Sequence, residues 1–126
     1  IMQMDIAHCG GLLVSKKAAA MAAAQDIRVA PHCSIGPVAL AAALHFDLST
    51  SNFMIQESFA ELDAPWRSSL VRGWNALKDG EFVLSDQPGL GLEIDEDAIA
   101  EHPYVPDSFP SLWDKNWVNK FSLDPK

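Results

Sequence analysis

The feature that most constrains this chain is a repeating frame, in which a short β-like run closes on a polar residue, an alanine-rich helical run follows, and the cycle begins again. Asp5, His32 and Glu57 close three such runs, with a spacing of 27 residues between the first two and 25 between the second two. Ile1 to Ile6 alternates apolar residues with Gln3 and Asp5 and stops at the pair Gly10-Gly11, as a strand entering a turn does. Leu12 to Ala24 contains SKKAAAMAAA, built from strong helix formers, with Ser15, Lys16 and Lys17 as its polar face. Arg28-Val29-Ala30 is a second short strand, and the following Pro31 prevents its continuation as helix. Gly36-Pro37 opens the helical run GPVALAAALHFDL, with proline near the first helical position, where its missing N–H costs least. Ser49 to Asn52 breaks that helix, and Asn52 to Glu57 is a third strand. No hairpin signal lies between these strands, so the spacing predicts an α/β fold of parallel strands joined by helical crossovers.

Beyond Glu57 the pattern changes. Glu61 to Leu77 predicts a helix interrupted at Gly73, followed by a turn over Lys78 to Glu81 and a short strand around Phe82 to Leu84. Pro88-Gly89-Leu90-Gly91 lacks the helix and lysine of a phosphate loop and is read as a turn. An acidic one-turn helix is expected over Glu96 to Ala100, and Trp113, Trp117 and Phe121 suit a tail lying on a surface. Length (126 residues), 48% hydrophobic and 21% charged residues are those of one ordinary globular unit. The net charge of −8 argues against a surface that tracks nucleic-acid phosphates. The longest apolar runs, Ala18 to Ala24 and Val38 to Leu44, fall short of the roughly 20 residues of a membrane span. The opening IMQMDIAHCGG has neither the basic nor the apolar region of a secretory signal, and it reads as the middle of a structure. Cys9 and Cys33 are too few for a disulfide framework, so a reduced, cytoplasmic setting is expected.

In parallel α/β folds the C-terminal ends of the strands form the reaction face. Adjacent parallel strands lie about 4.8 Å apart, so the Asp5 carboxylate can reach the His32 imidazole and hold its tautomer. Such a dyad can take a proton from carbon or donate one to a leaving hydroxyl, and Glu57, one strand further on, can hydrogen-bond a developing enediolate or substrate hydroxyls. Plainer roles compete with each assignment. His32 can be a hydrogen-bonded turn residue, Asp5 a helix cap, and Glu57 a solvated charge. His8-Cys9 with His32-Cys33 forms a set that zinc would accept, but neighbours in sequence near a strand end point to opposite sides, which opposes a closed four-ligand site. Lys16 and Lys17 are expected on a solvated helix face, and Met21 with the alanine stripes in the core.

The runs QMDIAHCGGL, APHCSIGPVALAAAL and NFMIQE resemble the sixth, seventh and eighth strands of the mandelate racemase subgroup of the enolase superfamily, with the sugar-acid dehydratases nearest. LSDQPGLGLEID and EHPYVP resemble the segment by which such enzymes return from the barrel to an N-terminal capping domain. HCSIGP is similar to galactonate dehydratases, while ALHFD and EHPYVP look like mannonate dehydratase relatives. The resemblance implies a partial TIM-like (β/α)7β barrel, with residues 1–60 as its last three strand units, 61–106 as the returning segment and 107–126 as a surface tail. It makes His32 the general base that removes the proton α to a sugar-acid carboxylate, Asp5 its partner, and Glu57 a substrate contact. It implies Mg²⁺, with its ligands in an N-terminal part of the same enzyme and none in this chain. The expected partners are a sugar-acid substrate, that N-terminal part, and further copies of the complete enzyme in a homo-oligomer. The alternative from another class is a noncatalytic remnant or interaction module derived from the barrel.

Overall fold

Val29 is the hinge of the architecture, because its backbone bridges in parallel to Met2 on one side and to Phe53 on the other. The computed structural model describes residues 1–59, 65–73 and 77–103. On the first side, Met2 N–H donates to Arg28 O at 2.8 Å, Ala30 N–H to Met2 O at 3.0 Å and His32 N–H to Met4 O at 2.9 Å. On the second, Val29 N–H donates to Asn52 O at 3.0 Å and Met54 N–H to Val29 O at 2.9 Å. The three runs expected as strands therefore pair in parallel, in the order first, second, third, as short bridged segments. They form three consecutive strand positions of a TIM-barrel-type α/β fold, a partial barrel.

The crossovers are the two expected helices, α1 (Gly11–Ala23) and α2 (Pro37–Leu48). Helix α1 buries a narrow stripe of small residues, Ser15, Ala19 and Ala22, which lets it lie close against the segments. Ser15 is sealed from water without loss, since its Oγ donates to Gly11 O at 2.9 Å and lies 3.1 Å from Cys9 Sγ. Gly10 enters the helix at φ 108, and a Cβ there would sit 2.9 Å from Val14 Cγ2, so the glycine is required. Met21, expected in the core, is 74% exposed. It falls on the side of α1 opposite to Ala19, because two residues advance a helix by about 200°.

Helix α2 is buried nearly all round, at Pro37, Leu40, Ala41, Ala43, Leu44, Phe46 and Asp47. Ala43 and Phe46 join Met4, Ile6, Ala19, Ala22 and Val29 in one cluster between helices and segments. Each large side chain sealed there contributes about 1.5–3 kcal/mol. The end of α2 is tied down by Ser49 and Thr50, whose hydroxyls donate back to Phe46 O at 2.9 and 2.6 Å. Lys16 also leaves the solvated role expected of it, since its Nζ donates to Ser49 O and lies 5.7 Å from the Phe46 ring centroid. Lys17 is exposed.

The described residues of the stretch expected as a helix interrupted at Gly73, 61–77, take a different form. A 3₁₀ helix, Pro65–Leu70, runs into β1 (Val71–Arg72), which pairs antiparallel with β4 (Glu93–Ile94). Gly73 allows the close approach that follows, since a Cβ there would stand 2.5 Å from Gly91 O. Leu77–Lys78 is strand β2, not helix, and turns back into β3 (Glu81–Phe82) through Asp79 and Gly80. Both turn residues have positive φ, 52 and 82, as a two-residue hairpin of this hand demands. The expected acidic helix is α3 (Glu96–Glu101), capped by Asp95, whose Oδ1 accepts from Ala98 N–H at 3.0 Å. No helix among the described residues is long and apolar enough to cross a membrane. The expected boundary near residue 60 and the tail with Trp113, Trp117 and Phe121 lie outside the described residues.

Candidate functional site

Asp5 and His32 are brought together by the parallel bridge between their own backbones. His32 Nδ1 lies 2.8 Å from Asp5 Oδ2, the geometry in which the ring donates from Nδ1 and turns Nε2 outward. The other aspartate oxygen is also occupied. Oδ1 accepts from the backbone N–H of Ala7 at 2.9 Å and of His8 at 3.2 Å, and the His8 ring nitrogen Nδ1 stands 3.2 Å away. Asp5 thus closes the tight turn leading to Gly10-Gly11 while holding His32, and it is not the cap of α1, whose N-cap is Gly10. Burial works to raise the Asp5 carboxyl, but the hydrogen bonds from His32, from His8 through ring and backbone, and from Ala7 outweigh it and hold the group below its usual range. It is therefore a fixed anion beside the imidazole.

Glu57 reaches the same face through a bulge. Val29 O and Pro31 O, two residues apart, accept from Met54 N–H and Glu57 N–H, three residues apart, so the third segment carries one extra residue. Pro31 has no N–H to offer that segment, which removes the ladder bond a regular register would need. Gln56, whose backbone N–H a regular register would pair with Pro31 O, donates its side-chain Nε2 to that carbonyl instead, at 3.0 Å. Phe53 shares the face of Val29 and Met2 through their bridges. Without the extra residue Glu57, four positions on, would share that helix-facing side, and with it Glu57 turns to the side of Asp5 and His32. Its Oε2 stands 3.9 Å from His32 Nε2 and accepts from Gln3 Nε2 at 2.7 Å.

Asp5, His32 and Glu57 accordingly line one open shelf at the strand ends, with side chains 11%, 35% and 37% exposed. The sequence reading gave Gln3 no role and considered His8 only as a zinc ligand, whereas they meet Glu57 and Asp5. Gln3 was legible in principle, because it lies two residues before Asp5 on the same face of a strand. The His8-Cys9 and His32-Cys33 set does not assemble, since both histidines turn to Asp5 while Cys9 lies beside Ser15. Cys33 is buried with Leu40 and Leu44, and that burial pushes its thiol up. Among the described residues no group of three or more His, Cys, Asp or Glu side chains is gathered to hold a metal ion. Both Asp5 oxygens are engaged within the protein, so the shelf does not supply the several oxygen ligands that Mg²⁺ requires.

Parallel strands crossed by helices, with an Asp–His pair at consecutive strand ends, define part of a TIM-barrel-type α/β fold. The chain belongs to the enolase C-terminal domain-like family, whose model matches residues 1–98. It is 37% identical over 119 residues to a D-galactonate dehydratase from Pectobacterium atrosepticum, covering 90% of this chain and 31% of that protein. A mandelate racemase/muconate lactonizing enzyme-like protein from Rubrobacter xylanophilus superposes with a TM-score of 0.74 at 38% identity, over 81% of this chain and 26% of that one. An enolase from Pantoea ananatis with bound D-gluconate and Mg superposes with a TM-score of 0.72 at 30% identity, over 79% of this chain and 24% of that one. The chain therefore spans a quarter to a third of the length of these relatives.

Proposed function

We propose that this chain is the acid-base portion of a sugar-acid dehydratase, a hydro-lyase acting on an aldonate of the galactonate type. The observation that carries the reading is the 2.8 Å contact between His32 Nδ1 and Asp5 Oδ2, which leaves Nε2 facing the shelf that Glu57 shares. His32 Nε2 takes the proton from the carbon α to the substrate carboxylate, and the new imidazolium is held by the Asp5 anion. The electron pair left on carbon passes into the carboxylate as an enediolate, on whose side Glu57 contacts the substrate. The β C–O bond then breaks, its oxygen leaves as water after gaining a proton, and the enol tautomerises to a 2-keto-3-deoxy sugar acid. The D-galactonate dehydratase and the gluconate-bound enolase support an aldonate as substrate. Mg²⁺ would be held by residues of another part of the enzyme and would supply charge stabilisation at the substrate carboxylate.

The test uses the full-length protein carrying this segment, with a keto-acid assay on a panel of aldonates and α-proton exchange in D₂O. His32→Asn is expected to abolish both. Exchange persisting at the wild-type rate while dehydration is lost would make His32 the acid for the leaving hydroxyl and overturn its assignment as base.

A further inference from the structure

Gln3 has no part in the chemistry above, yet its side chain is committed to the site. Its Nε2 donates to Glu57 Oε2 at 2.7 Å from the first parallel segment to the third. Two inter-strand spacings, about 9.6 Å, separate such segments, so the two extended side chains arch over the second segment beside His32. The oxygen that Gln3 holds is the one 3.9 Å from His32 Nε2. An inward movement of about 1 Å would bring it into a charge-assisted hydrogen bond with that nitrogen. Nε2 would then be occupied by an internal carboxylate at the position where a substrate carbon must deliver its proton.

We propose that Gln3 is a positioning residue that tethers Glu57 away from His32, keeping Nε2 open to substrate and leaving Glu57 Oε1 to address it. An amide suits this task. It donates a hydrogen bond to the carboxylate without bringing a charge, whereas a lysine or arginine there would offset the charge of Glu57 and alter the field at the imidazole. Gln3 is exposed, so its replacement removes the tether without opening a core. The inference deepens the dehydratase reading and rests on it for the role of Nε2, while the contact between Gln3 and Glu57 stands independently.

The experiment compares wild type, Gln3→Met, Gln3→Ala and the double variant Gln3→Met/Glu57→Gln in the full-length protein. Long-range ¹H–¹⁵N NMR of the histidine rings follows protonation of His32 with pH in the absence of substrate, and kcat/KM is measured over the same range. In Gln3→Met and Gln3→Ala the His32 midpoint and the acid limb of the kcat/KM profile are expected to move up together, as a carboxylate closes on the ring. The double variant should lose that displacement. An unmoved or lowered midpoint in both single variants, or a displacement that survives Glu57→Gln, overturns the tether. A raised midpoint in a protein with no activity on any aldonate would uphold the tether and remove the dehydratase reading instead.

Discussion

Asp47 provides the sharpest quantitative prediction. It is 7% exposed near the end of α2, and neither carboxylate oxygen has a hydrogen-bond partner among the described residues. Burial alone pushes its carboxyl from the ordinary 3.8 up to about 7. With the folded value above the unfolded one, both states hold the proton below pH 3.8 and the group costs nothing. Between 3.8 and about 7 the unfolded chain releases its proton while the folded chain keeps it, so stability falls as pH rises. Above pH 7 the loss is complete and constant, and the separation of the two values corresponds to about 4 kcal/mol. Asp47→Asn keeps the shape and removes the charge. Denaturant unfolding of both proteins at pH 4, 6 and 8 should give nearly equal stability at pH 4 and a variant advantage that grows to a few kcal/mol at pH 8, less the cost of burying an amide. Subtracting one protein from the other cancels the remaining carboxylates, among them Asp5, whose lowered value stabilises above the unfolded value and is lost in acid. A stability difference that does not change with pH, or a variant less stable at pH 8, would show that Asp47 is ionised and paired in the folded protein and would refute the reasoning.

Two further outcomes follow from the site. Asp5→Asn should leave the fold intact by circular dichroism but lower kcat of the full-length enzyme by about 10³–10⁴-fold, because an amide favours the wrong imidazole tautomer; a loss below tenfold would mean that the turn around His8 orients His32 without the anion. In calorimetric titration this chain should bind Mg²⁺ no better than a generic acidic surface, since one glutamate and a fully engaged aspartate are not an octahedral site; saturable binding at micromolar Mg²⁺ would refute this.

The repeated frame was readable because its signals are local. Alanine-rich runs entered through Gly10-Gly11 and Gly36-Pro37 carry their helix preference in their own residues, and helix α1, expected over Leu12 to Ala24, is found over Gly11–Ala23. Polar residues closing apolar runs marked Asp5, His32 and Glu57 as strand-end groups for the same reason. Within the stretch read as helix, Val71–Arg72 is strand because its pairing with Glu93–Ile94 joins residues far apart in the chain, and that pairing overrides a moderate local preference.

The amino-acid sequence by itself determined the order of strand and helix, the parallel sense of the strands and the identity of the polar residues that close them, since spacing and residue type carry all of these. Only the tertiary structure decided which faces those residues share. The missing N–H of Pro31 acts on a neighbouring segment, where the extra residue before Glu57 turns its carboxylate to the side of His32. The tether from Gln3 and the unpaired burial of Asp47 are likewise set by what packs or hydrogen-bonds from elsewhere in the chain. A one-residue change of register inverts a side chain's face, and register is a relation between segments that no single segment contains.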